Sequence, residues 1–517
     1  MDDDRISHVP IELLIQIFCA LTYKEILTCR LACKFFDTVI RNDARLQYKI
    51  QLGLNGQQDG PSTNCLNVHD RLLILNEYQA AWDQLRFDPM MIVDMESDRI
   101  WEIRGNVLSQ ASEESLVFVQ LPSRVRNIDE RRWSLNRVHI PLRDYAFDPA
   151  QDLLILVESH GDVHFRDYEH HIHLRTLSTG DAHPSATITK IVCSRLVYPI
   201  SYEIRISSEY LAVGFYTGAM NPDNLLCIWN WKTGERQMEL PGAILAYAFL
   251  TKHHIILIRK QADAELLILD LRSISPCLES PVDEVECICT FRFPTLKQDK
   301  SIDYADIRSE PTFDWSPDPA LAVPFHVSSE QRLFVVTMRT QDFESSITFL
   351  IPRDTLLRHF HDVPDLPPKH RVEWNEWGPK GARAMRTPSG HSSSWLRNVY
   401  GMRFVFMEEG DNSSVLVADF NQAAFRKALF NEETMSASSY SSEHPQRMKL
   451  MIEATTLDGS WSMFVNPVIT SLPFRYANVP LPPDDEIGYE AAMVSEDSII
   501  VVDFDMTEKT RYYVLSI

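Results

Sequence analysis

The sequence predicts a mainly β fold: a β-propeller behind a small α-helical module. Three observations point to it. Short apolar runs separated by polar turns recur from Met91 onward, helical periodicity is strongest in the first forty residues, and a Gly- and Pro-containing polar stretch lies between the two. With 517 residues, the chain has room for one large body or two smaller ones after this module.

In the N-terminal segment Leu13, Leu14, Ile17, Phe18 and Leu21 recur at helical spacing. Pro10 suits the first helical position, where its missing N–H costs nothing. Ile26, Leu27 and Leu31, then Phe35, Phe36, Val39 and Ile40, carry the stripe past a break near Thr22 and Tyr23, giving two or three short helices. So small a unit is marginal alone and tends to need a partner. Asp43 to Leu54 extends the last helix, and the run from Asn55 to Thr63 has the composition of a linker. Arg71 to Phe87, with Leu72, Leu75, Tyr78, Ala81 and Trp82 at helical intervals, reads as a connecting helix. The expected division is therefore a helical domain at 1–54, a connector at 55–90 and a propeller with long inserted loops at 91–517.

The β region repeats as pairs of strands. Tyr210–Phe215 precedes Leu225–Trp231 and the turn Lys232-Thr-Gly-Glu235, and His254–Ile258 precedes Leu266–Leu271. Leu153–Val157 is paired with Val163–Tyr168, Leu333–Met338 with Ile347–Ile351, Arg403–Met407 with Val415–Phe420, Ile499–Phe504 with Tyr512–Leu515, and Met91–Met95 with Ile100–Ile103. All-β units at intervals from about forty residues upward are what four-stranded blades leave in a sequence. Seven blades is the natural count, with six or eight as neighbouring alternatives. The last strand, from Arg511 to Ile517, is expected to close the ring near Met91. Ile228-Trp-Asn-Trp-Lys-Thr-Gly-Glu looks like the end of a WD-type repeat with Asn230 in place of aspartate. Excess length after Leu271, Ile351 and Phe420 falls to loops, where rigid scaffolds carry recognition. The proline-rich stretch from Trp315 to Gly401 holds Trp374, Trp377 and Trp395, expected to pack a long loop onto the blades, with aromatic anchoring of a partner as the alternative.

Composition narrows the function. Fifty Lys and Arg stand against 72 Asp and Glu, a formal −22, and residues 1–55 hold seven of each sign, so the excess acidity belongs to the β body. Such a surface repels phosphate backbones, which excludes nucleic acid or an anionic membrane as the principal partner. Nine cysteines without zinc-site spacing, an acidic start and no apolar run of membrane-spanning length suggest a soluble intracellular protein with reduced thiols, in the cytoplasm, the nucleus or both. The Ser-rich stretch from Thr434 to Ser442 reads as locally disordered. His164, His170, His171 and His173 bunch together, but no cysteine or carboxylate of ligand spacing joins them, so they read as strand surface. Gly390-His-Ser-Ser-Ser lacks the second glycine of a nucleophile elbow, and no phosphate or dinucleotide fingerprint is present, so no cofactor is expected.

The order Val9-Pro-x-Glu-Leu-Leu-x-x-Ile-Phe-x-x-Leu, followed by Ile26-Leu27, Arg30, Ala32-Cys33-Lys34 and Phe36, resembles the F-box, with Val9 where leucine is usual and Thr22 where proline is frequent. The resemblance covers Val9 to Ile40 and implies docking onto a Skp-type adaptor and, through it, a cullin. Pro10, Leu13, Leu14, Ile17, Phe18, Leu21, Ile26 and Leu27 are the adaptor-binding candidates. Joined to a propeller, the motif implies a non-catalytic substrate receptor of an SCF-type ubiquitin ligase holding an unidentified protein target. The alternatives are a scaffold that docks without ubiquitin transfer and, further off, a propeller hydrolase with acids and arginines on its axis. Two locally basic stretches, Arg124 to Arg137 and Lys369 to Arg386, nominate Arg131, Arg132, Arg383 and Arg386 for target binding, because arginine forks suit phosphate and carboxylate.

Overall fold

The computed structural model describes residues 9–517 except 62–64, 97–99, 113–114, 137–139, 163–166, 196–200, 218–223, 261–262, 274–280, 283–284, 341–345, 361–369, 387–396, 409–412, 437–447, 460–461, 483–488 and 504–508. Its β region is a seven-bladed propeller of four- and five-stranded sheets. Blades 1 to 6 occupy 101–136, 142–195, 201–241, 244–292, 302–386 and 399–480, and blade 7 is 489–516 with Met91–Glu96 added as its outermost strand. His370–Val372 adds a fifth strand to blade 4 and Lys449–Met451 a fifth to blade 6.

The ring closes where the sequence placed the closure, with Met91 opposite Val514 and Glu96 opposite Lys509. The hairpin expected between Met91–Met95 and Ile100–Ile103 does not form, because Trp101–Arg104 instead opens blade 1 against Val107–Ala111. Burial explains the difference. Met91–Glu96 alternates between buried and exposed residues, as an outer strand does, whereas Trp101–Arg104 is buried throughout as an innermost one. In blade 2 the partner of Leu153–Asp162 is Asp167–Thr176 rather than Val163–Tyr168, and Leu153 lies opposite Thr176. The apolar residues of that partner, Ile172 and Leu174, alternate with outward histidines, which dilutes the strand signal. The remaining pairs stand as expected: blade 3, for example, matches Phe215 to Leu225 and Tyr210 to Asn230. Asn230 does the work of the usual aspartate, its Oδ1 accepting from the N–H groups of Lys232 at 3.0 Å and Thr233 at 3.2 Å, while Gly234 takes the positive φ that the turn requires.

The N-terminal module is four helices: α1 (Ile11–Ala20), α2 (Tyr23–Ala32), α3 (Lys34–Asn42) and α4 (Ala44–Leu54). α4 does not extend α3, because Asp43 interrupts the helix and its carboxylate caps Arg45 and Leu46 of the next one. Thr22 starts α2 with a capping box in which its backbone N–H donates to Glu25 at 2.7 Å and its hydroxyl accepts from the Glu25 N–H. That box supplies the stop between helices that a proline would otherwise give. α5 (Val68–Asp83), capped by Asn67, is the connecting helix.

The stretch after Leu54 is not a free linker. Gln57–Asp59 is a strand paired with Phe325–Val327, which belongs to a long insertion in blade 5. Asn421 donates to the Leu54 carbonyl at 3.0 Å, Gln331 to Gly53 at 3.1 Å, and Tyr78 of α5 to Glu496 at 2.7 Å. α4 itself faces two ways: Leu46 and Ile50 complete the core of α1–α3, while Tyr48 and Leu52 pack with Tyr78, Trp82, Phe325 and the blade 6 and 7 strands. The Ser-rich stretch lies outside the described residues beyond Ser436, up to which Gln422–Ser436 is helical. No helix among the described residues is long and apolar enough to cross a membrane.

Candidate functional site

Two features of the molecule are candidates for contact with a partner. The first is on the helices. A 3.6-residue period cannot turn five apolar side chains of α1 the same way, and the structure divides the predicted stripe. Leu14, Ile15 and Phe18 point inward onto Ile26, Val39, Ile40, Leu46 and Ile50, with the Phe18 and Phe36 rings edge to face at 5.2 Å. Leu13 and Ile17 are 49% and 53% exposed, and Ile11 is 49% exposed. Leu31 at 87% and Phe35 also stand in solvent on neighbouring helices. Of the eight adaptor-binding candidates, Pro10, Leu13 and Ile17 therefore lie outside, Leu21 and Leu27 are half-buried, and Leu14, Phe18 and Ile26 form the module's own core. Sequence spacing named Leu13 and Ile17, but it could not tell outer from inner residues on so wide an apolar surface.

The second feature is a cavity of about 280 Å³ on the propeller axis. Innermost strands line it, with Trp101, Glu102, Asp144, Tyr202, Glu203 and Asp306 among its walls. Its charges are largely matched: Arg397 holds both oxygens of Glu102 at 2.7 and 2.5 Å, Arg205 pairs with Glu203 at 2.8 Å, Lys260 with Asp303 at 2.7 Å, and Arg308 with Asp306. Burial opposes ionisation of Glu102, yet Arg397 and Arg104 hold its carboxyl down at about 2. Asp144 is the lining carboxyl without a cationic partner among the described residues, and it accepts only the Tyr145 N–H at 2.8 Å. Burial pushes it up to about 7, with the Tyr145 N–H pulling the other way and Glu102 adding to the rise. No sequence pattern marks this cluster, since its members come from separate blades and single residues on separate strands leave no spacing to read.

A carboxyl raised in this way stays protonated where the unfolded chain, near 3.8, has already lost its proton. Its contribution to stability is therefore greatest at low pH and falls away as pH rises through about 7. Asp144→Asn should melt with a shallower decline in stability between about pH 4 and pH 7 than the parent chain. Superimposable Tm-against-pH curves would show that Asp144 is solvated like an ordinary surface carboxylate.

The four arginines nominated for target binding do not form one patch. Arg131 and Arg132 are exposed on the outer strand of blade 1, Arg131 over the Trp133 ring at 5.2 Å and Arg132 paired with Glu130 at 2.7 Å. Arg386 is exposed on blade 5, but Arg383 on the same strand is 2% exposed, donates to the Glu453 carbonyl at 2.8 Å and covers Phe474. Strand alternation puts Arg383 inside, so it is a packing residue and not a contact for a target. Arg126 of the same basic stretch is likewise buried, in ion pairs with Glu496 and Asp497. Trp377 packs edge to face on Phe291 and Phe293 with its indole N–H donating to the Arg292 carbonyl at 3.0 Å, and Trp374 stacks edge to face on it at 4.9 Å, so both serve packing. Trp395, Arg137, Lys369, His164 and the Gly390 segment lie outside the described residues.

The family model that matches this chain is F-box-like, and it covers residues 6–51. Residues 6–51 are an F-box-like domain. The match ends within α4, so the F-box-like domain includes the helix that also touches the propeller. No curated protein matches the sequence. Among solved structures, the chain is similar to Kluyveromyces lactis Hsv2 at 9% identity, over 50% of this chain and 68% of that one, with a TM-score of 0.24. It is similar to a chain of the Mitotic Checkpoint Complex at 10% identity, over 84% and 96%, with a TM-score of 0.32. A third similarity is to the cobalt-substituted Synechocystis ACO at 8% identity, over 54% and 60%, with a TM-score of 0.26. The seven blades are assigned from the sheet order of this chain itself.

Proposed function

We propose that this chain is the substrate-recognition subunit of an SCF-type ubiquitin ligase: the F-box-like domain docks on a Skp-type adaptor, and the propeller holds a protein target. The observation that carries the reading is an F-box-like domain with Leu13 and Ile17 unsatisfied in solvent, fixed to a closed ring with a cavity on its axis. The protein itself would supply position rather than chemistry, so ubiquitin transfer would gain from proximity alone. The axial arginines support binding over hydrolysis, because Arg205, Arg308 and Arg397 are each engaged with a carboxylate of the chain.

The exposed and buried halves of α1 give the test. Leu13→Glu with Ile17→Glu should weaken capture of purified adaptor at least 100-fold, since two lost apolar contacts remove about 3 kcal/mol or more. The melting curve should be unchanged. Leu14→Ala with Phe18→Ala should instead unfold the helical domain, at about 2–5 kcal/mol per site, and lose capture only as a result. Capture of the Leu13/Ile17 variant at full strength would remove the docking claim. Ubiquitin transfer onto a captured protein, reconstituted with the adaptor and its cullin and RING partners, separates a receptor from a scaffold.

A further inference from the structure

On blade 2 the strands Leu153–Asp162 and Asp167–Thr176 bring five titratable side chains to one face. Glu158 lies opposite His171 and His160 opposite Glu169, and His173 follows two residues along on the same face. The carboxylate oxygen Oε1 of Glu158 is 2.8 Å from His171 Nδ1, 3.0 Å from His173 Nε2 and 3.1 Å from His160 Nε2. The ligand atoms of Glu158, His160 and His171 all lie within 4.8 Å of one another. His170, which the sequence grouped with these residues, faces the other way and is buried against Tyr202 at 3.1 Å. What the sequence lacked was the neighbouring strand: the carboxylate that completes the set is thirteen residues upstream of His171 and meets it only through the hairpin register.

We infer that Glu158, His160, His171 and His173 form a binding site for one divalent transition-metal ion of the zinc type. Three imidazole nitrogens and one carboxylate oxygen are a complete tetrahedral set, and bonds of about 2.1 Å would place such ligands about 3.4 Å apart, within the 4.8 Å spread of the Glu158, His160 and His171 ligand atoms and near the 3.0 Å between Glu158 and His173. The ligand mixture selects Zn, Co, Ni or Cu ions over Mg and Ca, which prefer all-oxygen shells. His171 is also oriented as a ligating histidine should be. Its Nδ1 faces the centre while Nε2 meets the carboxylate of Glu169, the outer partner that fixes tautomer and raises basicity in metal sites. The imidazole nitrogens share protons with the Glu158 oxygen, so binding of an ion releases protons and depends on pH. The nearby cation is Lys190, whose Nζ lies 3.4 Å from His171 Nδ1; its side chain is exposed and free to swing into water when an ion enters.

The test uses the full chain, stripped with EDTA and exchanged into chelator-free buffer, then titrated with Co²⁺ at pH 7.5. One equivalent should bind with the intense visible absorption of four-coordinate cobalt and without the thiolate charge-transfer band that a site on the chain's cysteines would show. Zn²⁺ should displace it. Glu158→Gln and His171→Ala should each weaken binding at least tenfold, and so should His160→Ala, whose 49% exposed side chain can be removed without disturbing the fold. Binding should also weaken as pH falls from 7.5 to 5.5, because protons compete for the imidazoles. Absence of stoichiometric uptake, or uptake unchanged in both His160→Ala and His171→Ala, would overturn the site.

Discussion

A chain ending at Thr510 should fail to fold cooperatively. The seven residues it lacks form most of Lys509–Ser516, which is the third strand of blade 7 and lies between Ser498–Asp503 on one side and Met91–Glu96 on the other. Tyr512, Tyr513, Val514, Leu515 and Ile517 are all buried, and at about 1.5–3 kcal/mol for each large apolar side chain their loss is comparable with the entire 5–15 kcal/mol that stabilises a typical domain. Truncation also opens the ring, since the outermost strand of blade 7 no longer has a neighbour to pair with. Denaturant unfolding followed by tryptophan fluorescence should show no native baseline or a broad, non-cooperative one. A sharp transition at the midpoint of the full chain would mean that the ring is held by something other than this strand.

Replacing Arg126 with methionine should be the most damaging single substitution. Its guanidinium lies 3.1 Å from Glu496 and 2.8 Å from Asp497, both buried, and it also donates to the Phe325 carbonyl at 3.2 Å. Taking one partner from a buried ionic group leaves the other charges unpaired, at about 3–5 kcal/mol. Here two carboxylates are stranded by one change. Burial already pushes Glu496 up to about 7, with Arg126 pulling it back toward its ordinary 4.5 and Asp497 adding to the rise. Without the arginine the folded-state value rises further above the unfolded one, so the variant should lose stability as pH increases and recover part of it toward pH 5. Adding Glu496→Gln and Asp497→Asn should rescue the melting temperature in part. A variant with unchanged Tm at pH 8 would show that these carboxylates are hydrated and not buried.

Legibility followed locality. The helical period of 11–54 and the paired apolar runs of blades 3 to 7 are contained in short windows, and in blades 3 to 7 those runs pair as their spacing predicts. Blade 1 was missed as a unit because Val107–Ala111 and Ser115–Gln120 carry Ser109, Gln110 and Gln120 in buried positions, which breaks the apolar signature of an inner sheet. The stretch after Leu54 has a linker's composition because Gly and polar residues mark turns and solvent, whereas Gln57–Asp59 gains its structure from a strand some 270 residues away. Arg383 and Arg386 show the same limit on one strand: composition counts two charges, and only the pleat decides which of them reaches water. The axial carboxylates are brought together by the closing of the ring and the Glu158 histidine set by register between two strands, so neither has a sequence spacing of its own.

The two loaded faces of α4 bear on reach. A helix whose Leu46 and Ile50 belong to one core and whose Tyr48 and Leu52 belong to another cannot rotate about its axis without emptying one of them. The Gln57–Asp59 strand pairing with Phe325–Val327 then removes the swing that a tether would have allowed. The molecule is thus a bracket of fixed angle rather than two bodies on a string. Anything gripped by the ring is carried at one azimuth and one distance from anything gripping α1. If the chain acts as the proposed receptor, the zone of a captured partner that comes within range of a neighbouring enzyme is set by the partner's own shape and loose ends, and lengthening or shortening its tail should move that zone where loosening this chain cannot.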